Sequence, residues 1–244
     1  MSSFLLALQF LTIVPLKIKE AGAKRLANAI VYFPFVGLLI GLALAGISAL
    51  LVMLNFPPLA ANMILVVAWA GITGGMHLDG LSDTADAFLS AKPKDEMLAI
   101  MRDPHVGVMG VLSLISVMLL KIGFLTALAA SAKITGLLLA CVLSRWSVVL
   151  AMFLFPYARQ DGKARVFIQG MNLKILLCAL ATALIFSYAI WGFRGLLALT
   201  IIAGFTCVSG RCINRRIGGI TGDTLGATIE LAELLTLCAV CVHG

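Results

Sequence analysis

The sequence predicts an all-α fold: a polytopic transmembrane helical bundle of about seven spans, six to eight, forming a single integral membrane domain over residues 1–244. Three observations predict it. Hydrophobic residues make up 61% of the chain and charged residues only 12%, against about 25% charged in soluble globular domains. Mean hydropathy is +1.09, and apolar stretches of roughly 20 residues, the length a helix needs to cross a bilayer core of about 30 Å, recur in series. No polar segment between them is long enough to fold alone.

The first apolar run, Phe4 to Leu16, is preceded by no basic side chain, and Lys17, Lys19 and Glu20 intrude before Ala21-Gly22-Ala23, so a cleaved signal peptide is not expected. At about 13 residues it is short for a span, and a short N-terminal interfacial helix is expected instead. Spans then follow at 30–54, 61–76, 106–130, 134–156, 174–192, 195–209 and 224–243, with Pro57-Pro58 marking the first external turn. The stretch 195–209 is short enough to be re-entrant. Gly37-x-x-x-Gly41 and Gly71-x-x-x-Gly75 place small residues at helical spacing, which lets helix backbones approach in lipid.

The net charge of +7 follows from topology and does not call for nucleic acid. Loops 17–25, 77–105, 157–173 and 210–222 fall on one side and hold thirteen of the eighteen Lys and Arg, which makes that side cytoplasmic. Only Lys133 and Arg194 fall opposite, while Lys121, Arg145 and Lys174 lie within spans. The six cysteines lie in or beside apolar segments, where thiols behave as small hydrophobes, and Cys238-x-x-Cys241 has no second pair to complete a metal site.

The carboxylates make the sequence specific. Of eleven, five (Asp79, Asp83, Asp86, Asp223 and Glu230) fall at or just inside cytoplasmic span ends. An acid near the bilayer centre costs about 2.5–3.5 kcal/mol on insertion scales, so such residues face a cavity, a cation or one another. The run from Gly74 to Asp86 contains no proline and is expected to continue the second span as one helix. On that helix Asp83 lies about 40° and Asp86 about 20° from Asp79, so the three share one face over roughly 10 Å. They would sit near the helix C-terminal end, where the dipole opposes them. Like charges so close repel, and a hard divalent cation relieves the conflict; all-oxygen ligation favours Mg2+, or Mn2+, over zinc. His77 points about 160° away, which weakens it as a co-ligand.

Downstream, Arg102 and Asp103 precede Pro104-His105, and Gly107 and Gly110 open the third span. Arg gives bidentate hydrogen bonds to phosphate, and backbone N–H groups at a helix start favour anions, so this stretch could present phosphate donors. In the last motif, Asp223 is a candidate N-cap, and Glu230 and Glu233 lie two to three turns inside the final span, facing the bundle interior. Their candidate partners are metal, substrate amides or the basic cluster Arg211, Arg215 and Arg216.

The order Gly-Gly-x-His-Leu-Asp-Gly-x-x-Asp-Thr-x-Asp, Met-Arg-Asp-x-x-x-Gly-x-x-Gly and Gly-Asp-x-Leu-Gly-Ala-x-x-Glu-Leu-x-Glu, spread over the chain, resembles the cobalamin synthase family, the adenosylcobinamide-GDP ribazoletransferases. Leu11-Thr12-x-x-Pro15 and Phe33-Pro34-x-x-Gly37 fit that family's N-terminal pattern too. The resemblance implies transfer of the cobinamide phosphoryl group from adenosylcobinamide-GDP to alpha-ribazole or its 5'-phosphate, with release of GMP and with Mg2+ as cofactor. It implies a multi-pass protein of the prokaryotic cytoplasmic membrane with its active site on the cytoplasmic face; a homo-oligomer is left open. It places Asp79, Asp83 and Asp86 in the family's acidic motif, Arg102 and Asp103 in its middle motif, and Asp223, Glu230 and Glu233 in its C-terminal motif. Ala87 stands where Gly is common, and Pro104-His105 where Ser-Arg is frequent. Asp79, Asp83 and Asp86 are the candidate metal ligands, and Asp86, with Asp83, the candidate catalytic base. Arg102, Asp103, Asp223, Glu230, Glu233, Arg211 and Arg215 are candidate substrate contacts, and His77 and His105 are weaker ones. Two other readings are a CDP-alcohol phosphotransferase, whose Asp-Gly-x-x-Ala-Arg core is absent here, and a cation-coupled transporter, for which no internal repeat is visible.

Overall fold

The computed structural model describes residues 3–16, 22–159 and 163–243. Among these residues it is helical throughout, with one isolated bridge between Tyr157 and Ile220 and no strand. Helix α1 (Ser3–Leu11) buries Leu6, Ala7 and Leu11 against the bundle, and α2 (Ala23–Ala29) leads through a 3-10 turn, Ile30–Tyr32, into α3 (Phe33–Met53). Then come α4 (Pro58–Ile72), α5 (Met76–Leu89), α6 (Lys94–Ile100), α7 (Val108–Ala127), α8 (Ala130–Leu154), α9 (Lys163–Gln169), α10 (Leu173–Ile217) and α11 (Gly222–His243).

Among the described residues five helical stretches are long and apolar enough to cross a membrane, and the bent pair α4 and α5 makes six. The 45 residues of α10 contain a non-helical residue, Gly192 (φ 61°, ψ −140°). A Cβ on Gly195 would strike the carbonyl of Ser187, eight residues earlier, so the chain turns back there and α10 is two antiparallel limbs. Counted separately, they restore the seven spans read from the sequence. The second limb runs on to Ile217, well past the expected end at 209, so it is long enough to cross and need not be re-entrant. Arg211, Arg215 and Arg216 accordingly lie on its last turns and not in a loop.

Helix α8 is the axis of the bundle, packed by α3, α10 and α11. Gly37 and Gly41 let α3 approach it: a Cβ on Gly41 would lie 2.9 Å from the Leu138 Cα. Gly71 and Gly75 do no such packing, since a Cβ at either would meet open space. Apolar side chains such as Leu42, Val52, Val67, Leu119, Ile185 and Phe193 point outward, as lipid-facing groups must.

The expected continuation of the second span does not occur. Gly74 (φ 65°) and Gly75 (φ 69°) adopt left-handed backbone, a conformation glycine takes without steric cost, and α5 departs from α4 at 90°. Helix α5 is thus an arm lying off the span axis. Asp79 falls in its first turn, where the helix dipole favours an acid, the reverse of the sequence expectation.

Candidate active site

The arm α5 packs across the start of α11, and two motif glycines make the crossing. A Cβ on Gly80 would lie 2.7 Å from the Asp223 carbonyl oxygen, and one on Gly226 would lie 3.1 Å from that of His77. This close approach brings the first and last motifs together, so that His77, Asp79 and Asp223 line one cavity of about 280 Å³. The rest of its lining is largely apolar and includes Phe10, Leu11, Phe33, Val148, Met152 and Ile229.

The start of α11 is fixed by a reciprocal pair, Thr224 donating its N–H to Thr221 Oγ1 at 3.2 Å and Thr221 donating to Thr224 Oγ1 at 2.8 Å. Thr221, not Asp223, is therefore the N-cap. That leaves the Asp223 carboxylate free for Arg159, whose Nη2 lies 2.8 Å from Asp223 Oδ2. Arg159 is delivered by the bridge between the 156–158 and 218–220 segments, in which Ala158 donates to Ile220 O at 2.9 Å and Ile220 to Pro156 O at 2.8 Å. Gly219 is needed there, because a Cβ would sit 2.8 Å from the Ala158 nitrogen.

Asp83 and Asp86 continue the acidic face of α5 along the arm, with different environments. Burial, together with the like charges of Asp79, Asp223 and Asp86, pushes Asp83 up to about 6 against the pull of Arg159. Asp86 is engaged: Oδ2 accepts the Gly107 N–H at 2.8 Å and Oδ1 the Gly110 N–H at 2.8 Å. The helix-start N–H groups expected to present themselves to phosphate thus hold a carboxylate of the protein itself. Both glycines are required, because a Cβ at either would collide with that carboxylate.

Other candidates stand apart from the cavity. Asp103 and His105 pair with each other on an exposed turn, Oδ1 to Nδ1 at 2.5 Å, and the His105 hydrogen bonds hold Asp103 below the usual carboxylate range. Arg102 is exposed nearby, within electrostatic range of Tyr157 on the cavity wall. Arg211 and Arg215 are exposed and do not line the cavity, and Arg216 donates to the Phe88 carbonyl at 2.7 Å, tying α10 to the end of α5.

Glu230 and Glu233 do face the bundle interior, but their partners are not those expected. Lys121 Nζ lies 2.7 Å from Glu230 Oε2 and 2.5 Å from Glu233 Oε2, and Arg145 pairs with Glu233 Oε1. The Trp69 ring covers Lys121 Nζ at 4.4 Å. Two cations and two anions so arranged form a buried, charge-balanced cluster with no need of the Arg211 group. Neither glutamate lines the cavity.

His77, a weaker candidate because of its angle from Asp79, is buried among the residues that line the cavity, and its buried ring nitrogens have no hydrogen-bond partner among the described residues. Burial, with Arg145 and Lys121 nearby, holds its pKa well below normal, so the ring is neutral.

The chain matches the family described as Cobalamin-5-phosphate synthase over residues 3–241. It belongs to that family. It is also 40% identical over 234 residues to the adenosylcobinamide-GDP ribazoletransferase of Desulforamulus reducens, covering 95% of this chain and 93% of the relative. The protein of the same name from Roseiflexus sp. strain RS-1 is 40% identical over 95% of this chain and 86% of its own. That of Klebsiella pneumoniae subsp. pneumoniae is 39% identical over 97% and 98%. No solved structure matches. Membership in the cobalamin-5-phosphate synthase family sets aside the phospholipid-synthase and transporter readings, and makes the acidic cavity the place to look for transferase chemistry.

Proposed function

We propose that this chain is an adenosylcobinamide-GDP ribazoletransferase. It moves the cobinamide phosphoryl group from adenosylcobinamide-GDP to a hydroxyl of alpha-ribazole or its 5'-phosphate and releases GMP, on the cytoplasmic face of a prokaryotic inner membrane. The observation that carries this reading is the α5–α11 crossing, which sets Asp79, Asp223 and Arg159 around one cavity in a chain of that family.

Among the described residues no three His, Cys, Asp or Glu side chains are grouped closely enough to hold a metal ion by themselves. Mg2+ does not need such a group: it is commonly held by one or two carboxylates and completed by substrate phosphates. Asp79 and Asp83 suit that role, being all-oxygen donors one turn apart whose mutual repulsion a cation relieves. When bound, Mg2+ neutralises charge developing on the phosphate oxygens. Arg159 binds the same oxygens through its planar fork. The attacking hydroxyl must lose a proton. Asp223, on the cavity wall, is the acceptor this geometry favours over Asp86, whose two oxygens are held by Gly107 and Gly110.

Purified protein in liposomes, supplied with adenosylcobinamide-GDP, alpha-ribazole 5'-phosphate and Mg2+, should release GMP in proportion to acceptor consumed. No GMP release under these conditions would overturn the reading.

A further inference from the structure

The face of the bundle opposite the acidic site holds a cation with no carboxylate to meet it. Arg194 opens the second limb of α10, which ends at Ile217, and His243 ends α11, which begins at Gly222 beside the acidic site. At about 1.5 Å per residue both lie roughly 30 Å from that site, the thickness of a bilayer core. None of the eleven acids falls in the segments that join helices at this face, 54–57, 128–129 and 192–193. Arg194 is exposed, and among the described residues it has no ion-pair partner. Of its five N–H donors one goes to the His243 carbonyl. Its guanidinium carbon stands 5.9 Å from the centroid of the Trp191 ring, which holds the charge at the level of the membrane surface where aromatic side chains settle.

Beside Arg194 a cleft of about 200 Å³ lies between this limb and α11. The order of its lining follows from position along the two helices. Leu197 and Ile201 stand about one and two turns inward from Arg194, and Ala239 one turn inward from His243. The polar groups therefore sit at the helix ends, at headgroup level, and the apolar ones deeper in the bilayer. Leu197 and Ile201 are exposed, so the cleft opens toward lipid. An acyl chain can lie along it with its phosphate level with the guanidinium, which takes phosphate oxygens in charge-assisted hydrogen bonds.

We propose that this cleft binds an anionic phospholipid in the leaflet opposite the acidic site, its headgroup phosphate on Arg194 and one acyl chain along Leu197, Ile201 and Ala239. Net charge decides the lipid class. A zwitterionic headgroup brings its own cation to its phosphate and sets a second positive charge beside Arg194. Phosphatidylglycerol instead supplies the counterion that the chain lacks on this face. The inference is independent of the transferase reading.

Tryptophan quenching in liposomes tests it. Trp69 and Trp146 are only 2% and 3% exposed, so Trp191, at the cleft, is the tryptophan that lipid reaches. The full-length protein is reconstituted in phosphatidylcholine carrying a small, equal fraction of either brominated phosphatidylglycerol or brominated phosphatidylcholine. Phosphatidylglycerol should be enriched at Trp191 about fivefold over phosphatidylcholine, the factor that one basic side chain near an anionic surface is worth. Arg194→Gln, which keeps a donor for the His243 carbonyl, should bring the two lipids level, and Arg194→Lys should retain the preference. Ala239→Phe fills the cleft and should lower quenching by brominated phosphatidylglycerol. Equal quenching by the two lipids in wild-type protein overturns the inference. So does a preference that survives Arg194→Gln, which makes it a property of the whole basic chain, or quenching that Ala239→Phe leaves unchanged. Excess inorganic phosphate should leave the preference intact; if it abolishes it, the site takes a free anion and the lipid assignment falls.

Discussion

Replacing Glu233 by Gln should destabilise the protein before it alters the chemistry. Glu233 is wholly buried, with one carboxylate oxygen 2.5 Å from Lys121 Nζ and the other paired with Arg145, itself wholly buried. The cluster of Lys121, Arg145, Glu230 and Glu233 is neutral as built; the Gln variant keeps the shape and leaves one uncompensated positive charge among helices. Removing one partner of a buried ion pair costs about 3–5 kcal/mol, because the remaining charge is neither solvated nor matched. At about 2–4 °C per kcal/mol for a chain of this size, the unfolding midpoint should fall by roughly 6–20 °C. Intrinsic tryptophan fluorescence during heating in detergent reads it directly, since the Trp69 ring lies 4.4 Å from Lys121 Nζ. Adding Lys121→Met to the variant removes the surplus charge and should recover much of the loss, a coupling that a double-mutant cycle isolates. If Glu233→Gln unfolds within about 2 °C of wild type yet has lost turnover, the cluster is not structural and Glu233 acts on substrate.

Three further outcomes are expected. Gly107→Ala and Gly110→Ala should each displace the Asp86 carboxylate from the start of α7, lowering the unfolding midpoint by a few degrees, as loss of a helix cap of about 1 kcal/mol does, and reducing GMP release; an unchanged rate and midpoint would refute the capping role. Asp83 has its folded-state pKa raised to about 6, so the stability it contributes is full below about pH 4 and lost as pH rises through about 6; metal-free protein should lose stability across that window, Asp83→Asn should flatten the change, and Mg2+ should restore stability above pH 6. Cysteines introduced at Lys94 and Pro57 should label from opposite sides of right-side-out vesicles, Pro57 with the impermeant reagent and Lys94 only after permeabilisation; the reverse would invert the orientation.

The sequence by itself determined the architecture and the inventory of acids. Hydropathy and length placed the spans because a bilayer imposes both, and helical period put Asp79, Asp83 and Asp86 on one face because that depends only on neighbours along the chain. The rest needed distances between residues far apart in sequence. Whether α5 continues α4 depended on Gly74 and Gly75 taking positive φ, which their identity permits but does not require. Arg159 reached Asp223 only through the backbone bridge between Tyr157 and Ile220. A signal for the buried cluster did exist: Lys121 and Arg145 are cations inside spans, as Glu230 and Glu233 are anions, and lipid tolerates neither alone. Which cation meets which anion was settled by the packing of α7 and α8 against α11, since Lys121 and Glu230 lie 109 residues apart and local periodicity carries no information across that interval.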